Sequence, residues 1–233
     1  METNQQERKI LKNQLFHDRN RTNVLKGIEQ KAIAYFVQRI PKWVSSDMLT
    51  AIGFLGNAIT MLSLILGKYL GVYWLLLSSV GLFVNWFGDS LDGRLAYFRN
   101  LPRKWYGFTL DLMVDWLGII LIGFGYMVYA QGPWEIAGYA FVVFYGWSTI
   151  IAIQRYKISG EYSIDSGSFG PTEVRFVLLA VIVLEVFVHN SILVTSTIIC
   201  VLLFLFNLVD VFKLLKMADQ KDKEENAAKS NKE

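Results

Sequence analysis

The chain has 233 residues, of which 53% are hydrophobic and 15% aromatic, and its formal net charge is only +3. A mean hydropathy of +0.35 is too apolar for an ordinary soluble domain and is typical of a membrane protein with several spans. The small net charge argues against nucleic-acid binding, and the single cysteine, Cys200, excludes an internal disulfide. We therefore expect one membrane domain.

The N-terminal segment, residues 1–40, has no sustained apolar core of the kind that a cleavable signal peptide needs. Within it, apolar residues recur at roughly helical spacing among lysines and arginines over residues 24–40. This pattern predicts an amphipathic helix that lies on the cytoplasmic membrane surface.

Six apolar runs follow, each able to form a transmembrane helix. They are residues 48–70, 72–97, 107–130, 134–153, 174–188 and 192–215. The predicted fold class is therefore all-α, with six transmembrane helices in a domain at 41–216. Residues 217–233 mix Lys, Glu, Asn and Ser, so we expect them to form a disordered cytoplasmic tail.

The distribution of lysine and arginine predicts the orientation of these helices. An even number of spans places both termini on one side of the membrane. The basic residues concentrate near both termini and in the loops at 99–104 and 154–175, whereas the alternate loops hold only Lys68. The positive-inside rule then makes both termini cytoplasmic. The membrane would be the bacterial inner membrane, or the endoplasmic reticulum in a eukaryote.

Four aspartates lie near the facing ends of the second and third predicted helices. A single charge near the centre of a transmembrane helix costs about 2.5 to 3.5 kcal/mol, so four require counter-charges or metal ions. Residues three or four apart share a helix face, so Asp89 and Asp92 form one acidic stripe. Asp111 and Asp115 form another. Since both stripes lie near the cytoplasmic helix ends, we expect the four carboxylates to face one cavity.

Two divalent cations would balance four carboxylates, and carboxylate ligation favours Mg²⁺ or Mn²⁺. A site with two such ions can hold a diphosphate and ease the loss of a phosphate leaving group, which predicts phosphoryl-type transfer. An aspartate not fully engaged by metal could accept a proton from an attacking hydroxyl. An alternative from a different class is an ion- or proton-coupled transporter, in which such aspartates relay protons.

Seven ordered positions in this segment carry a resemblance to a known family. They are Asp89, Asp92, Gly93, Ala96, Gly107, Asp111 and Asp115. Their spacing resembles the signature of the CDP-alcohol phosphotransferases, D-x-x-D-G-x-x-A-R, about eight residues, then G-x-x-x-D-x-x-x-D. The resemblance extends over the six-helix layout, from about residue 41 to 216. The chain departs from the pattern at Tyr97, which stands where the family has arginine, and by one additional residue before Gly107.

The resemblance implies an enzyme of phospholipid synthesis, in which an acceptor hydroxyl attacks the phosphorus that bears the alcohol and releases CMP. The four aspartates would bind two divalent ions, with Asp115 as the general base. Gly93, Ala96 and Gly107 would shape the cytidine nucleotide pocket. CDP-diacylglycerol is the favoured donor, and transfer from CDP-choline or CDP-ethanolamine to diacylglycerol stays open. A homodimer is also implied.

Other polar residues are candidates for binding the two substrates. Arg94 or Arg99 would supply the positive charge that Tyr97 does not, and Thr50 is a nucleotide-site candidate or a residue of the helix start.

For the acceptor, an alcohol such as inositol phosphate or glycerol phosphate, the candidates are Arg155, Arg175 and Thr172. Arginine forks suit phosphate groups, although membrane orientation explains both arginines equally well. Thr172 could instead cap the fifth helix.

Overall fold

The computed structural model of the chain describes Leu15, residues 25–160 and residues 170–230. Within those residues all regular structure is helical. Seven α-helices are present there, with short 3-10 helices at Val72–Leu76 and Gly132–Trp134: α1 Lys26–Val37, α2 Ser46–Leu70, α3 Leu77–Phe98, α4 Lys104–Ala130, α5 Glu135–Ser159, α6 Pro171–Phe187 and α7 Ser191–Ser230.

Four of the helical segments are long and apolar enough to cross a membrane, which indicates an integral membrane protein. These segments are Ser46–Leu70, Lys104–Ala130, Gly132–Ser159 and Ser191–Ser230. The other two predicted spans are also helical but differ in character: α3 carries Asp89, Asp92 and Arg94, and α6 has only 17 residues. The all-helical prediction is therefore confirmed, and four of the six helices have the length and composition of a span.

Helices α2 and α3 form a tightly packed antiparallel pair. The Ser45 hydroxyl caps α2 by accepting a hydrogen bond from the Met48 amide at 3.1 Å. A Cβ atom added to Gly56 would lie 2.3 Å from the backbone nitrogen of Asn85. One added to Gly88 would lie 2.3 Å from the backbone nitrogen of Gly53. Only glycine allows so close an approach of two helix backbones. This pair fixes the face of α3 that carries the aspartates.

Helix α1 occupies the predicted position of the amphipathic helix, whose first residue, at 24, lies outside the described residues. Its buried side chains Ile33 and Val37 belong to one apolar cluster with Leu91 and Leu95 of α3. Helix α1 therefore packs against the bundle through one face, while Ile28 on it is 74% exposed.

The C-terminal segment differs from the expected disordered tail, because α7 continues through it to Ser230. Residues 231–233 lie outside the described part of the chain. Ala, Lys, Glu and Gln favour helix, and the tail contains an i, i+4 pair between Lys223 and Asp219 at 2.6 Å. The Lys221 ammonium also donates to the Ile158 carbonyl at the end of α5, at 2.6 Å. Polar composition here accompanies an exposed helix.

Candidate metal centre

The acidic faces of α3 and α4 meet as the spacing predicts. Asp89 lies two turns before the end of α3, and Asp111 and Asp115 lie on successive turns near the start of α4. One carboxylate oxygen from each of the three lies within 4.8 Å of the others, and all three residues are half-buried. Such a set of oxygen ligands could hold a metal ion, and it suits a hard divalent cation.

The fourth predicted ligand, Asp92, has a hydrogen-bond partner on α2. Its side chain is buried, and its Oδ2 atom accepts a hydrogen bond of 2.6 Å from the Thr50 hydroxyl. Thr50 therefore joins α2 to the acidic face of α3. The group of three carboxylates does not include Asp92. Metal binding by Asp92 and nucleotide binding by Thr50 stay predictions.

Helix α6 brings a positive charge to the three carboxylates. The Arg175 Nη2 atom lies 2.5 Å from the Asp89 Oδ2 atom, and its Nε atom donates to the Asn85 Oδ1 atom at 2.6 Å. The remaining nitrogen, Nη1, is buried and has no hydrogen-bond partner among the described residues. Asp115 is close enough to Arg175 to interact with it electrostatically. The Arg175 guanidinium therefore pairs with Asp89, interacts with Asp115, and retains one unused donor atom, Nη1.

Asn85 is a site residue that the sequence analysis did not identify. It is buried one turn before Asp89 on the same face of α3, and its Nδ2 atom donates to the Gly53 carbonyl at 3.1 Å. The side chain is thus fixed by α2 and in turn orients Arg175. A polar residue four positions before Asp89, within an apolar run, was the signal available in the sequence.

Open space lies in front of two of the predicted pocket residues. A Cβ atom added to Gly93 or to Gly107 would meet no atom within 4 Å, in contrast to Gly56 and Gly88 in the α2–α3 contact. Ala96, one turn after Gly93, is half-buried. Both glycines are exposed, so helix packing within the described chain does not require them, and their role in a nucleotide pocket stays a prediction.

The two arginines predicted to bind the nucleotide contact the backbone carbonyls of other segments. Arg94 is buried and donates to the Leu15 carbonyl. Arg99 donates to the Val44 carbonyl and, at 2.8 Å, to the Pro41 carbonyl, both in the connection that precedes α2. Both guanidinium groups therefore connect α3 to the chain that precedes α2. Nucleotide binding by Arg94 and Arg99 stays a prediction.

Of the three acceptor candidates, only Arg175 contacts the carboxylate group. The Thr172 hydroxyl is buried and donates to Glu29 of α1 at 2.9 Å. Arg155 on α5 pairs with Asp210 of α7 at 3.4 Å. These contacts give Thr172 and Arg155 structural partners, and a role for either in acceptor binding stays a prediction.

No protein-family model matches the chain, and no curated protein matches it. The function is therefore inferred from the residues and their geometry. Three converging carboxylates can bind a cation, and the unused Arg175 donor can bind an anion beside it. Together they suit a ligand that carries phosphate groups and is held partly through metal.

Proposed function

We propose that the protein is a CDP-alcohol phosphotransferase that transfers a phosphoalcohol from a CDP-linked donor to a hydroxyl acceptor and releases CMP. The observation that carries this proposal is the convergence of Asp89, Asp111 and Asp115 from two helices. CDP-diacylglycerol is the favoured donor, with a polar alcohol as acceptor.

The donor set fits a divalent metal centre. Asp89, Asp111 and Asp115 would bind Mg²⁺ or Mn²⁺, and Asp92, three residues after Asp89, would complete the set for two ions. Arg175 supplies one positive charge against three carboxylates, so the group favours added cations. Bound divalent ions would neutralise the diphosphate and stabilise the charge that develops on the leaving group.

Asp115 is the proposed general base. The acceptor hydroxyl oxygen forms a bond to the phosphorus that bears the alcohol, and its proton passes to the Asp115 carboxylate. The bond from that phosphorus to the bridging oxygen breaks, and its electron pair leaves with CMP. A positioned base contributes about 100- to 10,000-fold to such a step.

The remaining residues bind and orient the substrates. The open space at Gly93 and Gly107 would admit the nucleotide close to the helix backbones. The buried Nη1 atom of Arg175 would bind a phosphate oxygen, which would provide the partner that this donor lacks.

The proposed topology has six spans, α2 to α7, with both termini and the site on the cytoplasmic side. The aspartates lie near the end of α3 and the start of α4, and the basic connection at 99–104 joins these two ends. The exposed Ile28 supports a position of α1 at the membrane surface. A homodimer is proposed from the family resemblance.

The test is release of CMP by the purified protein in lipid vesicles that contain CDP-diacylglycerol and Mn²⁺. Inositol phosphate, glycerol phosphate, serine and inositol are supplied in turn, and at least one should give CMP in proportion to product lipid. EDTA should abolish the release.

A parallel assay offers CDP-choline or CDP-ethanolamine with diacylglycerol. Release of CMP in this assay alone would mean that CDP-choline or CDP-ethanolamine, and not CDP-diacylglycerol, is the donor. The absence of CMP from every combination, together with metal-independent solute uptake by the vesicles, would contradict the enzyme and favour transport.

A further inference from the structure

Helices α1 and α6 are joined by two buried carboxylates, one contributed by each helix. Glu29 of α1 accepts a hydrogen bond from the Thr172 hydroxyl at 2.9 Å. Glu173 of α6 accepts one from the Leu25 amide, at the start of α1, at 3.0 Å. The two glutamates are only 4% and 8% exposed. We call these four residues, Leu25, Glu29, Thr172 and Glu173, the α1–α6 latch.

The latch also organises the first turn of α6. The second oxygen of Glu173 accepts the Gly170 amide at 3.0 Å, so one carboxylate caps α6 and binds α1 at the same time. Carboxylates near a helix N-terminus are favoured by the helix dipole, which offsets part of the cost of burying them. The first turn of α6 is thus fixed from the side of α1.

The same turn carries Arg175 to the carboxylate group. Arg175 follows Thr172 by three residues, which is nearly one helical turn, so the two residues share a face of α6. Its guanidinium contacts Asn85 and Asp89 of α3.

Helix α1 packs against α3 as well, through Ile33 and Val37. Helices α1, α3 and α6 therefore form a closed set of contacts.

We propose that Glu29, Thr172 and Glu173 are positioning residues that hold Arg175 against Asp89 and Asn85 and aim its Nη1 atom at the site. The catalytic consequence of this positioning rests on the proposed function. The positioning itself does not depend on that function, because the contacts join the protein's own residues. Displacement of a substrate-binding group by about 1 Å can lower turnover about 100-fold.

The test observes the Arg175 side chain directly, in protein labelled with ¹⁵N-arginine and reconstituted without metal or substrate. Arg175→Lys identifies the Arg175 Nε–H signal by its loss. In the wild-type protein this proton should exchange slowly with water, because it is bound to Asn85. Thr172→Val removes the donor to Glu29, and the signal should shift and lose its protection.

Three further variants isolate the effect of the latch. Thr172→Ser keeps the hydroxyl and should restore the signal. Thr195→Val is the matched control, because the Thr195 hydroxyl bonds only to carbonyls of its own helix among the described residues, and it should change nothing at Arg175. Glu29→Ala removes the acceptor instead of the donor and should act like Thr172→Val, which covers the case in which Thr172→Val fails to fold.

An Arg175 signal that keeps its position and protection in folded Thr172→Val or Glu29→Ala would overturn the proposal. The CMP assay separates this failure from that of the proposed function. If the wild type releases CMP, Thr172→Val should lower kcat/KM for the acceptor by about ten- to 100-fold. If no CMP appears but the Arg175 signal responds as expected, the latch stands and the proposed function fails.

Discussion

The buried carboxylate of Glu185 can be compared with the group formed by Asp89, Asp111 and Asp115, because their partners differ. The Glu185 carboxylate, 1% exposed, accepts the Tyr129 hydroxyl at 2.8 Å and the Asn190 and Ile192 amides at 3.0 and 2.9 Å. The Ser191 hydroxyl is a further donor at 3.3 Å. These donors come from α4, from the turn between α6 and α7, and from the first residues of α7. Glu185 is therefore a structural acceptor that ties this turn to α4.

The group formed by Asp89, Asp111 and Asp115 brings three carboxylates from two helices close together. One oxygen from each of the three lies within 4.8 Å of the others, where like charges repel, and Arg175 pairs with Asp89. A buried carboxylate surrounded by N–H and O–H donors stabilises the fold. Carboxylates that lie this close to one another also favour a cation. The two groups should therefore respond in opposite ways to the loss of a charge.

The largest effect is expected from Asp115→Asn, which should lower CMP release by about 100- to 10,000-fold because the amide cannot accept the proton. The thermal unfolding midpoint should stay close to that of the wild type, since one of three mutually repelling charges is removed. Glu185→Gln, measured in parallel, should keep its turnover. Turnover at the wild-type rate in Asp115→Asn would exclude Asp115 as the base.

Removal of a proposed metal ligand should show the next largest effect. Mn²⁺ at about 100 times its Kd should stabilise the wild type by about 2.7 kcal/mol, and EDTA should reverse this. Asp111→Asn should lose most of this stabilisation and weaken Mn²⁺ binding measured by electron paramagnetic resonance. Asp210→Asn is the control, because Asp210 pairs with Arg155 and Lys213 instead. Unchanged Mn²⁺ binding in Asp111→Asn would contradict the proposed site.

The sequence predicted the carboxylate group because the information is local. Helical spacing sets the faces of Asp89, Asp111 and Asp115, and the lengths of the apolar runs set their depth. The contact between Arg175 and Asn85 joins residues 90 positions apart and depends on how α6 packs, which no local pattern contains. The hydrogen bond from Thr172 to Glu29, which lie 143 positions apart, likewise depends on helix packing that no local pattern contains.

The tail shows a different limit of sequence reasoning. A polar composition without large apolar residues is shared by disordered segments and by exposed helices. What distinguishes residues 217–230 is continuity with α7 and the contact of Lys221 with the end of α5. Composition alone therefore led to the expectation of disorder and did not predict the backbone conformation.

A smaller effect, on stability alone, is expected at the structural carboxylate. Glu185→Ala leaves several donors without their acceptor, among them the buried Ile192 amide, and a buried unsatisfied group costs about 1 to 3 kcal/mol. We expect a loss of about 3 kcal/mol in unfolding free energy, with Mn²⁺ binding unchanged. Glu135→Ala is the control, because Glu135 accepts one exposed amide, that of Gly132. An equal loss in both variants would contradict the role assigned to Glu185.

The smallest effect is expected from His189→Ala, and it decides whether Glu185 is held by donors or by a counter-charge. The His189 Nδ1 atom lies 3.6 Å from a Glu185 oxygen, but its side chain is 78% exposed. Because the His189 side chain is mostly in solvent, this pair should contribute no more than a surface ion pair does, about 0.2 to 1 kcal/mol, and the loss in unfolding free energy should stay at or below that range. The donors from α4 and the turn remain in this variant. A loss as large as that of Glu185→Ala would mean that charge pairing holds Glu185, and the distinction between the two carboxylate groups would fail.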